Sequence, residues 1–188
     1  MTRWLHAGIA LGVAAQLGLS LFMEAPDDTD EVMASGFPLQ LFEAHESIGM
    51  ALLALLVLHW LWSLSGHVEG GFGHLFPWFS GKRMSKVIAE AKDILRLKVP
   101  DPETSNEFAG AVHGLGLLVA TILAVSGAVI FFNVSETGHW TKLGNNYHEI
   151  HETIAPLMWA YLIGHFAVAV IHKRMGHTNV KEMFSLLK

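Results

Sequence analysis

The sequence predicts an all-α integral membrane protein: a four-helix bundle with one extra amphipathic helix in a cytoplasmic loop. Three observations lead there. The chain is 52% hydrophobic and only 15% charged over 188 residues, one domain's length. Its charges avoid four stretches of about twenty residues: 4–23, 47–65, 108–133 and 153–171. Each is long enough to cross an apolar core about 30 Å thick as a helix, the fold that satisfies its own backbone there. A buried helix of a soluble bundle would carry a polar face, and Leu52–Leu58 and Leu115–Ile130 carry none. The chain therefore reads as a single membrane domain over residues 1–188.

The first span, Trp4–Met23, has Arg3 ahead of it and no clean small-x-small site behind it, since Leu19-Ser20-Leu21 is a poor one. It reads as a retained anchor helix. Four spans place both termini on one side. Arg3, the loop 66–107 and the tail then hold 11 of the 12 Lys and Arg together, with Lys142 opposite. The positive-inside rule puts that side in the cytoplasm, as expected of a multi-pass protein of a bacterial inner membrane. The opposite loop, Glu24–Glu46, is acidic.

Within the loop 66–107, Met84, Val87, Ile88, Ala91 and Leu95 recur at helical spacing, with Lys82, Arg83, Lys86, Lys92 and Arg96 around them. Such a helix suits an anionic headgroup surface, and it also offers a docking face to a redox partner. Phe76-Pro77-Trp78-Phe79 reads as an interfacial anchor. Pro100-Asp101-Pro102 ends the helix, and Ser105 or Asn106 can cap the third span. Pro156, within the fourth span, is expected to kink it. The expected surroundings are membrane lipid, with no nucleic-acid partner.

The absence of cysteine excludes disulfides, thiolate-held iron–sulfur clusters and covalently attached c-type haem. Twelve histidines dominate instead. Two pairs, His45/His59 and His151/His165, share a spacing of 14 residues. That is just under four helical turns, so both members of a pair face nearly the same way, about 21 Å apart along the axis. Ionisable groups at membrane depth need a reason, and axial ligation of two stacked haems fits best. Counting along the spans leaves one outer pair, His45 with His151. It leaves His165 at the inner level with a choice among His6, His59 and His113. Each ligand must be neutral at its coordinating nitrogen and needs an acceptor for its other N–H. Gly12, Gly49, Gly114, Gly116 and Gly164 lie along the spans, where they permit close approach of a porphyrin or of another helix. His67, His74, His139, His148, His172 and His177 read as solvated, and Glu43, Glu46, Glu149 and Glu152 as an acidic outer rim.

The stretch His151-Glu152-Thr153-Ile154-Ala155, followed by Ile163-Gly164-His165, Ala169 and His172, resembles the fourth helix of the prokaryotic cytochrome b561 family. His45-Glu46-Ser47-Ile48-Gly49 is similar to the start of the family's second helix, and His6 sits in the first turns of the first span. The resemblance covers essentially the whole chain. It implies a four-helix cytochrome with two b-type haems, His45 and His151 ligating the outer haem and His6 and His165 the inner one. It also implies electron exchange with a quinone or quinol, making the chain a quinone-linked oxidoreductase or an electron-transfer subunit of one. His59 stands where the family often has Arg, which admits a rival His59–His165 haem resembling that of the bc-complex cytochrome b. Two other functions use the same residues. One is a cytochrome anchor for a larger dehydrogenase or hydrogenase. The other is a haem-free transporter, which would call for broken helices and unpaired mid-membrane acids.

Overall fold

The computed structural model describes residues 2–25, 36–65, 72–96, 107–134 and 139–174. Among them are six α-helices: α1 (Thr2–Leu19), α2 (Phe37–Leu64), α3 (Phe72–Leu75), α4 (Gly81–Leu95), α5 (Glu107–Phe132) and α6 (Lys142–Arg174). A 3-10 turn covers Pro77–Phe79, and one isolated bridge joins Val134 to Trp140, with no strand among the described residues.

Three helices are long and apolar enough to cross a membrane: α2, α5 and α6 over Lys142–Val170. Their most apolar windows are only 17%, 22% and 6% buried within the chain. Leu61 and Leu64 on α2, Leu115 and Phe132 on α5, and Ile163 and Phe166 on α6 are each more than half exposed. Apolar surface on that scale is unfavourable in water at roughly 25 cal/mol per Å², so lipid is the solvent these helices match. The chain is a helical membrane protein.

α1 differs from its expectation. It ends at Leu19 instead of Met23, and its 18 residues are not among the three membrane-length helices. Ser20 Oγ donates to the Leu17 carbonyl, and the amides of Phe22 and Met23 both turn back to the Leu19 carbonyl, which closes the helix in a turn. α2 and α6 instead run further than expected. α2 starts at Phe37, behind Gly36 at φ +73°, a backbone state that favours glycine, with Pro38 in its first turn. The stretch before His45 is thus helical rather than loop. α6 starts at Lys142 and passes through Pro156 as one assigned helix, so the expected kink does not break it.

The chain divides into two compact units. One comprises Met1–Trp4, His59–Leu118 and Ala160–Lys188, the other Leu5–Leu58 and Val119–Trp159, so α1, α2, α5 and α6 each contribute to both. The second unit has an aliphatic core of Leu5, Val13, Leu17, Leu52, Leu56, Ala120, Ile130 and Met158. Leu52 lies on Gly12, where an added Cβ would come 3.0 Å from it, so this glycine serves helix packing.

In the first unit the core is aromatic. Phe76 is buried, stacked 5.8 Å from Trp60 and tilted 4.6 Å from Phe72. Only Phe79 of the expected interfacial anchor is strongly exposed, because Phe76 and Pro77 are taken into the core. α4 forms as expected but turns differently. Met84, Val87 and Ala91 are partly covered while Ile88 is 47% exposed, and Glu90 is buried in its place. The reason is a cap: Glu90 Oε2 accepts the Phe108 amide at 2.8 Å, satisfying one of the orphan donors at the start of α5. Glu107 beside it pairs with Lys86 at 3.8 Å and His74 at 3.7 Å. Pro100-Asp101-Pro102, Ser105 and Asn106 lie outside the described residues.

Three α5 glycines act as seats in this unit. A Cβ at Gly110 would meet the His74 backbone and ring, one at Gly114 the Leu75 carbonyl, and one at Gly116 the Tyr161 ring. Gly→Ala in an open helix gains up to about 1 kcal/mol. At Gly114 the sign reverses, because backbone cannot yield as a side-chain tip can. Gly114→Ala should lower stability by about 1–3 kcal/mol, the usual range for overpacking. Gly18→Ala, with nothing within 4 Å, should be neutral or slightly stabilising. Thermal unfolding of the two variants in detergent checks both signs.

Candidate cofactor site

In the second unit, His45 sits in the third turn of α2 and His151 in the third turn of α6. Both are half-buried, and both line one cavity of about 540 Å³. That lies within the roughly 300–1,000 Å³ range of sites for organic ligands and cofactors. Most of its lining is apolar, including Phe42, Phe131, Met158 and Trp159. His148, Glu152 and Glu46 add polar groups.

The two rings stand 6.2 Å apart between centroids, at 76° to one another. A metal–imidazole bond is about 2.0–2.1 Å, and the nitrogen lies roughly 1.1 Å from its ring centre, so trans imidazoles on one ion have centres about 6.3 Å apart. The observed spacing therefore accommodates one metal ion between the rings.

The hydrogen bonds around His151 fix more than its position. Ser126, on α5 and 1% exposed, donates its hydroxyl to the Leu123 carbonyl at 3.0 Å. The same Oγ lies 2.9 Å from His151 Nδ1. A serine hydroxyl has a single proton; with that proton on the Leu123 side, Nδ1–H would donate to Oγ and leave Nε2 with its lone pair, the form a metal requires. Gly127 makes room for the ring, since a Cβ there would stand 3.4 Å from His151 Cε1.

His45 is placed from its backbone: Gln16 Nε2, on α1, donates to the His45 carbonyl at 2.9 Å. The side of Gly49 is filled by Gln16, whose Nε2 would lie 2.7 Å from an added Cβ. His45 Nδ1 and Gln16 Oε1 are buried without hydrogen-bond partners. Buried polar atoms left unpaired cost about 1–3 kcal/mol each, so two of them on one cavity wall mark a place that something polar or metallic completes.

In the first unit, His113 and His165 lie 5.1 Å apart between ring centres, at 73°. That is about 1 Å short of the spacing for trans imidazoles on one ion, although their ligand atoms lie within 4.8 Å of one another, close enough to share an ion in another arrangement. Tyr161 stacks on His165 at 5.4 Å. His59 is half-buried on α2 in this unit, and His6, also half-buried, belongs to the other.

Two histidines expected to be solvated are only partly exposed. His148 is on α6 against the Trp140 ring at 4.4 Å, with Glu152 3.7 Å away. His74 packs on Gly110 and pairs with Glu107. His139 is exposed as expected, and the His67, His172 and His177 side chains lie outside the described residues. Gly114 and Gly116 seat Leu75 and Tyr161, which assigns them to close packing, while Gly164 has nothing within 4 Å. Sequence reasoning missed Ser126, Gly127 and Gln16 as parts of the site.

The family model for prokaryotic cytochrome b561 matches residues 1–186, nearly the whole chain. The chain belongs to the prokaryotic cytochrome b561 family. No curated protein and no solved structure matches it. Membership in the cytochrome b561 family implies a b-type haem and membrane electron transfer. The facing histidines of the second unit fit such a group, by their spacing, the Ser126 contact at His151 Nδ1, the unpartnered His45 Nδ1 and the apolar cavity wall.

Gly127 tests this seat. Gly127→Ala adds a Cβ in ordinary contact and should keep haem content unchanged. Gly127→Leu pushes on the His151 ring and should cost about half the bound haem if the chain carries two. Haem per chain in purified protein is the measurement.

Proposed function

We propose that this cytochrome carries two bis-histidine b-type haems in a bundle of α1, α2, α5 and α6, and passes electrons between a quinol or quinone and a redox partner. The carrying observation is the His45–His151 pair, 6.2 Å apart on one apolar cavity wall. These two ligate the outer haem. His165 ligates the inner one, with His6 as its partner; the resemblance supports His6, and the short His113–His165 spacing disfavours His113. His59 is the remaining alternate.

A bound haem b supplies a one-electron couple. The chain supplies the rest. The imidazoles hold each ring without a covalent tether. The apolar lining of the cavity keeps water and its reorganisation away from the charge change. The 14 residues from His151 to His165 are about 21 Å of helix, which separates the two redox centres by a bilayer-scale step. A quinol gives up two electrons and two protons as it becomes a quinone. A one-electron carrier held by the histidines would take the electrons one at a time, and the protons pass to water by way of His148, Glu152 and Glu46 on the cavity lining. The distribution of basic residues supports an inner-membrane orientation with both termini and α4 in the cytoplasm.

A dithionite-reduced minus oxidised spectrum of detergent-purified protein, with haem counted per chain, tests this. About two b-type haems are expected. His45→Ala and His151→Ala should each remove the same one, His165→Ala the other, and His6→Ala should match His165→Ala while His113→Ala and His59→Ala keep both haems. A folded protein with no haem, or His151→Ala with both haems retained, overturns the reading.

A further inference from the structure

We infer that Ser126 is the positioning residue for His151, fixing its tautomer and aiming Nε2 into the cavity. The inference rests on the proposed haem at that site and concerns a residue on a different helix, 25 positions away in sequence.

The argument is a proton count. Ser126 Oγ has two short contacts, the Leu123 carbonyl at 3.0 Å and His151 Nδ1 at 2.9 Å. A carbonyl can only accept, and we assign it the hydroxyl proton; the imidazole then gives its own from Nδ1. The serine is 1% exposed, so no bulk water competes for either contact. The ring lies over the neighbouring Gly127, where an added Cβ would stand in ordinary contact 3.4 Å from Cε1 and a larger side chain would press on it. Ser126 and Gly127 are thus one seat, a hydroxyl acceptor beside a position with no side chain.

The consequence is directional. A hydrogen bond from Nδ1–H adds electron density to the ring and makes Nε2 a stronger donor. A stronger donor favours the oxidised iron. Ser126 therefore holds the potential of this one haem below what a free imidazole would set.

The first test needs no haem. Nitrogen NMR of haem-free protein labelled with 15N-histidine should show His151 as the Nδ1–H tautomer, with an unprotonated Nε2. The opposite tautomer overturns the inference. The second test uses loaded protein. Ser126→Ala should shift the potential of one of two haems upward and change the low-temperature EPR signal of that haem, and Ser126→Thr should restore both. Loss of that haem in Ser126→Ala with its return in Ser126→Thr also supports it. An unchanged potential and EPR signal in a haem-replete Ser126→Ala protein overturns it. Wild-type protein without haem would instead overturn the cytochrome reading, while the NMR result on the tautomer still decides the role of Ser126.

Discussion

Hydrocarbon offers no hydrogen bonds, and that constraint governs this molecule from backbone to cofactor site. A peptide group exposed to it without a partner loses several kcal/mol, so the long apolar segments close their own bonds as α2, α5 and α6. The same rule then falls on the side chains. A histidine, serine or glutamine on such a helix needs a partner on a neighbouring one. In the second unit those partnerships decide which faces meet: Gln16 of α1 against the His45 carbonyl of α2, and Ser126 of α5 against His151 of α6. The aliphatic residues between them fill space. The polar atoms set register.

Small residues make those partnerships reachable. Gly127 lets His151 approach α5, Gly49 leaves room for Gln16, and Gly12 receives Leu52. The first unit uses the same device for a different end. Its α5 glycines receive Leu75, His74 and Tyr161, which dock a short helix and an aromatic side chain. The two glycine sets look alike in sequence. What separates them is the element that arrives opposite, and that is decided by chain segments far away.

The two histidines are held differently. The His151 ring meets Ser126 through Nδ1, whereas Gln16 holds the His45 main chain, and His148 and Trp140 pack together on the same cavity lining.

Hydropathy, helical spacing and the motifs around the histidines were enough to read the helical membrane class and the family, because each is a one-dimensional record of a solvent, a helical period or a residue pattern. The amphipathic helix in the loop was legible for the same reason. Helix ends were less so: α1 stops early through side-chain and turn contacts at Ser20, and α2 begins ten residues before the apolar run, since a bilayer window sees hydropathy and not hydrogen bonding. The burial of Glu90 was not legible, because its reason is an amide eighteen residues on. Nor were Ser126 and Gln16, ordinary polar residues in apolar helices until a partner stands opposite. The sequence by itself determined that histidines would lie at membrane depth on helices. Only the tertiary structure decided which rings face each other and which polar groups meet them, because a hydrogen bond depends on ångström-scale approach between helices that periodicity along one helix does not encode.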